Sequence, residues 1–175
     1  MRRVAESLAT RGISVVTFNF PYMEAGRGAP NPGPQLEAAF ADVWREVAAA
    51  ARGPLFAGGK SMGGRISSQA AAKKLFDPAP AGLVFFGYPL HPPGKPDQRR
   101  DRHLPDVGAP MLFLSGTRDP FGSPEEFTAL VATLPNATLE ILEGGDHSLL
   151  ASKAQEAKSS RLERAIDLAA AWIAP

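Results

Sequence analysis

Apolar positions along this 175-residue chain fall into short runs that alternate with longer stretches of helical spacing. Val4, Ala5 and Leu8 share one helical face, and the helix they predict stops near Gly12. Ile13 to Phe20 is β-branched and aromatic-rich and ends at Pro21, which predicts a strand buried on at least one face. The glycines and prolines between Pro21 and Pro34 predict loop. Helical spacing returns from Gln35 to Ala51, where Leu36, Phe40, Val43, Trp44 and Val47 share a face.

The second half repeats the alternation. Leu55-Phe56-Ala57 is a short strand-like run, and Arg65 to Leu75 reads as a helix. Ala81 to Phe86 predicts a strand, whereas Gly87 to Ala109 is too proline-rich for regular structure. Met111 to Ser115 predicts another strand, and Ser123 with Pro124 behind it makes a good helix start. Thr138 to Leu142 is the last strand, and Leu162, Ile166, Ala169 and Ile173 mark an amphipathic closing helix. Alternating strands and helices predict one α/β domain over residues 1–175, with a mostly parallel sheet of about five strands and helices on both faces. Ligands in such domains bind outside the carboxyl ends of the strands.

Composition narrows the chemistry. A hydrophobic content of 44% is ordinary for a globular protein, and a net charge of +1 gives no electrostatic reason to expect nucleic acid or an anionic membrane as partner. Without cysteine there is no disulfide framework, thiolate metal site or cysteine nucleophile. Arg2 and Arg3 have no apolar run behind them, so the start does not read as a signal peptide. No apolar run approaches the length of a membrane span, and the expectation is a soluble, cytoplasmic protein without cofactor or metal.

One stretch organises the rest. Gly59-Lys60-Ser61-Met62-Gly63 fits G-x-S-x-G, in which a strand turns sharply into a helix with a serine at the apex. Glycines flank the serine because the turn is strained and the chains pass close together. Ser61 would stand free at the end of a sheet, with the Met62 backbone N–H turned towards a reacting carbonyl. The same letters invite a phosphate-loop reading, but that pattern needs glycine where the chain has Pro54, and Leu55-Phe56-Ala57 looks like strand.

A serine hydroxyl needs a base to take its proton and a third group to hold that base. Of the three histidines, His91 and His103 lie in the proline-rich, basic segment, while His147 sits just past the last strand. Asp119 follows the strand Met111–Ser115 through Gly116-Thr117-Arg118, and Asp146 is too near His147 in sequence to reach its ring easily. The order Ser61, Asp119, His147 is that of an α/β-hydrolase triad. Taken singly, Asp119 could merely open a turn before Pro120, and His147 could be a surface loop residue.

Phe18-Asn19-Phe20-Pro21-Tyr22, Gly58 to Arg65, Gly87 to Pro96, Gly116-Thr117-Arg118-Asp119 and Asp146-His147-Ser148 together resemble the α/β-hydrolase superfamily, in its dienelactone-hydrolase-like branch of small bacterial proteins. The resemblance implies a serine hydrolase acting on a small ester, thioester or lactone, with Tyr88 and His91 in a segment bordering the substrate pocket. That segment reads equally as a rigid surface loop. Lys95, Arg99, Arg100 and Arg102, offset by Asp97 and Asp101, read as a solvated face.

The resemblance also exposes a departure. The superfamily begins with further strands and a His-Gly-type turn that supplies a second oxyanion donor; this chain opens inside the first helix, leaving only Met62 N–H. Losing one such donor costs about 10²–10³ in rate. The absent strand belongs between Ile13–Phe20 and the elbow strand, so the sheet should gap or close up there. The expectation is a hydrolase fold truncated at its start, as in a fragment of a longer gene product. The competing expectation is a non-catalytic binding module on the same fold.

Overall fold

The computed structural model describes residues 1–149 and 155–174, with side chains of the closing helix described from Arg161 onward. Its frame is a parallel four-stranded sheet in the order β1 (Phe56–Lys60), β2 (Gly82–Phe86), β3 (Met111–Gly116), β4 (Ala137–Leu142). α1 (Arg2–Ala9), the short α2 (Pro21–Glu24) and α3 (Gly33–Ala50) precede β1, α4 (Met62–Ala72) joins β1 to β2, α5 (Pro124–Val131) joins β3 to β4, and α6 (Gln155–Ile173) follows.

The two-residue period of a strand separates two cores. On one face Leu83, Phe85, Met111 and Phe113 pack under Leu36, Phe40 and Trp44 of α3, Ile66 and Ala70 of α4, and Phe127 of α5. On the other, Val84, Phe86, Leu112 and Leu114 meet Val4 and Leu8 of α1 and Ala165, Ile166 and Ala169 of α6. β2 and β3 are buried along their whole length, as central parallel strands with helices on both sides must be. The capping box expected at Ser123 is complete: its hydroxyl accepts from Glu126 N–H while the Glu126 carboxylate accepts from Ser123 N–H.

The expected fifth strand is corrected. Ile13–Phe20 forms no strand, no strand of the sheet pairs with it, and β1 forms a sheet edge. Its composition suits a pleated, buried surface, but a ladder also needs a neighbour, and among the described residues no strand lies on the side of β1 away from β2. Its two ends are anchored: Ile13 packs against the α1–α6 core, and the Phe18 ring packs edge-on against Phe20 and Phe40 at 5.2 and 5.0 Å. Val16 is 62% exposed. The gap foreseen between this segment and the elbow strand is therefore open. The loop expected over 21–34 also carries a helical turn, α2, which Pro21 opens with its fixed φ.

Candidate active site

The site begins where β1 ends. Ser61 adopts φ 52°, ψ −118° between the strand and α4, a strained conformation for a residue with a side chain. A Cβ on Gly59 would come within 2.9 Å of the Gly63 backbone, and one on Gly64 within 3.0 Å of the Gly59 carbonyl oxygen. Both glycines are thus required by close approach. Ser61 N–H donates to the Phe86 carbonyl at 3.2 Å, tying the turn to the end of β2.

Two further strand ends supply the partners. After β3, Asp119 turns back so that its N–H donates to the Gly116 carbonyl at 3.2 Å, and its side chain is wholly buried. After β4, the chain passes close over β3: a Cβ on Gly116 would lie 2.2 Å from the Gly145 carbonyl oxygen, and Arg118 N–H donates to that oxygen at 2.8 Å. This crossing delivers His147. Its Nδ1 lies 2.8 and 3.0 Å from the Asp119 carboxylate oxygens, and its Nε2 lies 2.8 Å from Ser61 Oγ. A carboxylate only accepts, so Nδ1–H donates to Asp119, and Nε2 is left to accept from the Ser61 hydroxyl.

Other contacts support this chain of hydrogen bonds. Phe121 N–H donates to Asp119 Oδ1 at 2.9 Å, and the Phe121 ring stacks on the His147 imidazole with centroids 4.0 Å apart. Lys60 Nζ donates to Ser148 Oγ at 2.8 Å, linking the residue before the serine to the residue after the histidine. Asp146 accepts from Ser148 N–H at 2.8 Å and so shapes the loop. Met62 is the first residue of α4, where a helix N–H has no acceptor within the helix. Neither Phe121 nor Lys60 carries a catalytic signature of its own in the sequence; their one signal is nearness to Asp119 and Ser61 along the chain.

Tyr88 and His91, expected to contact substrate, are interior side chains. Tyr88 is 1% exposed, in the core between Phe85 and Phe113; its hydroxyl donates to the Arg100 carbonyl at 3.2 Å and lies 3.4 Å from Ser68 Oγ. Burial raises its pKa. His91 is also buried, with Nδ1 2.8 Å from the Pro92 carbonyl oxygen and Nε2 3.2 Å from Glu126. The chain after β2 folds inward over α4, consuming the polar atoms that a surface loop would have offered. His103 belongs to the same inward turn: Nε2 lies 2.8 Å from Ser68 Oγ, and burial together with the Arg65 charge pushes its pKa down to about 4.

Among the described residues, no group of histidine and acidic side chains is arranged to hold a metal ion, and no helix is long and apolar enough to cross a membrane.

A parallel α/β sheet with a strained serine at a strand-to-helix turn, hydrogen-bonded through a histidine to a buried aspartate, defines a class of protein before any comparison is made. The comparison agrees: the model of a family described as an alpha/beta hydrolase domain matches residues 1–174, and the chain belongs to that family. Among solved structures it is similar to an alpha-beta serine hydrolase homologue from Coxiella burnetii, with a TM-score of 0.72 at 21% identity over 98% of this chain and 76% of that one. It is similar to a monoacylglycerol lipase from Paleococcus ferrophilus, with a TM-score of 0.68 at 15% identity over 97% and 88% of the two chains. A candidate dienelactone hydrolase from Klebsiella pneumoniae gives a TM-score of 0.65 at 22% identity over 90% and 68%. At such identities the likeness is one of fold.

Proposed function

We propose that this protein is a serine hydrolase that cleaves a small carboxylic ester, thioester or lactone through an acyl-enzyme. The observation that carries the reading is the unbroken hydrogen-bond path from Ser61 Oγ through both nitrogens of His147 to Asp119. Ser61 Oγ attacks the substrate carbonyl carbon while its proton passes to His147 Nε2. The negative charge gathers on the carbonyl oxygen, for which the N–H of Met62, at the first position of α4, is the donor in this reading. The tetrahedral adduct collapses, and the leaving oxygen or sulfur takes the proton from Nε2. Water, deprotonated by the same nitrogen, then attacks the acyl-serine and returns the hydroxyl to Ser61. Asp119 accepts from Nδ1–H and so holds the imidazole in the tautomer whose Nε2 can accept.

The test is hydrolysis of p-nitrophenyl acetate and butyrate beside Ser61→Ala and His147→Ala, with fluorophosphonate labelling read by mass spectrometry. Ester cleavage lost in both variants, with the label on Ser61, supports the reading. A blank wild type with a normal melting curve would instead favour a non-catalytic binding module.

A further inference from the structure

Ser61 and His147 are joined twice. The first link is the hydrogen bond between Ser61 Oγ and His147 Nε2 at 2.8 Å. The second runs between their chain neighbours, where Lys60 Nζ donates to Ser148 Oγ at 2.8 Å. Lys60 is the last residue of β1, and Ser148 belongs to a turn over 146–149. Within that turn Ser148 N–H donates to Asp146 Oδ1 and Leu149 N–H to the Asp146 carbonyl, both at 2.8 Å. Leu149 has φ 57°, strained for a residue with a side chain, and its burial in the α1–α6 core holds it there.

The other restraints on the imidazole come from elsewhere on the sheet. Asp119 and the Phe121 ring hold it to the end of β3, and Gly87, packed against the His147 carbonyl, sits at the end of β2. None of these reaches β1, which carries Ser61. Lys60 and Ser148 also line one cavity of about 190 Å³ with Phe86, Leu149 and Leu162. The lysine stem therefore has apolar neighbours while its ammonium reaches the hydroxyl.

The two links part during the proposed reaction. Once Ser61 Oγ is bonded to the acyl carbon it carries no hydrogen, and Nε2 loses that donor. Water must then be activated by a base no longer bonded to the serine. We infer that Lys60 is a positioning residue for this second half of the reaction: through Ser148 it keeps the His147 turn at the end of β1 while Ser61 is acylated. The inference rests on Ser61 being the nucleophile. Nε2 takes a proton from water as the water oxygen bonds to the acyl carbon. The adduct then breaks its bond to Oγ, which takes that proton back as the acid leaves. Lys60 and Ser148 exchange no proton in these steps.

The test follows acyl-Ser61 by quenched-flow mass spectrometry with p-nitrophenyl butyrate, with a melting curve for each protein. Wild type is compared with Lys60→Met, Ser148→Ala, their double variant and Ser148→Thr, which retains the hydroxyl. Decay of acyl-Ser61 should slow about fivefold in each single variant, the size of one hydrogen bond, and no further in the double. Formation should slow by a smaller factor, and Ser148→Thr should stay near wild type. If Lys60→Met does not fold, Ser148→Ala carries the same comparison. Decay unmoved in the folded variants, or formation slowed as much as decay, overturns the inference. A second measurement does not depend on turnover: amide exchange of Ser148 and Leu149, read by NMR in Ser61→Ala with and without Lys60→Met. Exchange should quicken about fivefold when Lys60 is replaced. In a wild type that forms no acyl-enzyme, quickened exchange would sustain the clamp on the His147 turn and sink the hydrolase reading, and unmoved exchange would sink both.

Discussion

The imidazole of His147 lies against the ring of Phe121, with centroids 4.0 Å apart and planes 29° from parallel. Phe121 N–H also donates to Asp119 Oδ1, so one residue holds the acid with its backbone and the base with its side chain. A base held loosely spends less time in reach of the serine. Phe121→Ala is therefore expected to slow fluorophosphonate labelling of Ser61 by about tenfold, with Phe121→Leu intermediate. Labelling rates read by mass spectrometry check this; a Phe121→Ala rate equal to wild type would leave the stacking without a role.

Gly87 is the second contact on which the histidine depends. It has φ 65°, and a Cβ there would lie 2.5 Å from the His147 carbonyl oxygen. Gly87→Ala must therefore adopt a strained backbone and push the His147 loop away from the end of β2. A loss of about 1–3 kcal/mol in unfolding free energy is expected, together with reduced labelling of Ser61. Urea denaturation measures the first effect. A stable Gly87→Ala protein labelled at the wild-type rate would show that the loop has slack.

His103 makes stability depend on pH in a defined direction. Its folded pKa is lowered to about 4, so between the ordinary histidine value of about 6.5 and that point the unfolded chain binds more protons. Its contribution is complete above the unfolded value and is lost as pH falls towards the folded one. The urea midpoint should decline across this window, and His103→Gln should flatten the decline. His91 acts in the opposite sense. Burial pulls its pKa down, but the Pro92 carbonyl and Glu126 together more than offset this and leave it raised. Its contribution is present at low pH and is lost as pH rises through the folded value. A His103→Gln profile that superimposes on wild type would contradict the assignment.

The open edge of β1 and the unpaired Ile13–Phe20 segment predict association. Val15 and Val16 are 38% and 62% exposed on a segment that pairs with no strand, and β1 ends the strand order with one side unpaired. Val16→Lys should reduce the apparent mass seen by light scattering at high protein concentration. Its effect on unfolding free energy should stay within about 0.5 kcal/mol, as for other exposed positions. An unchanged mass would show that the edge does not associate.

The sequence by itself determined those features that depend on neighbours along the chain. Ala81 to Phe86 read as a strand, and Gly59-Lys60-Ser61-Met62-Gly63 fitted a tight turn with serine at its apex. The order Ser61, Asp119, His147 was legible because each follows a predicted strand, and a parallel sheet sends all its strand ends to one side. Distance along the chain decided little else. Ile13–Phe20 had every local mark of a strand and formed none, because pairing depends on a neighbour that local pattern does not encode. Tyr88 and His91 looked like groups of an exposed loop until the segment after β2 folded onto α4 and α5. Arg100 lost its place on a solvated face in the same way and is half-buried. Burial and charge pairing are properties of the packed chain, so the tertiary structure alone could decide which polar groups serve the fold and which remain for a ligand.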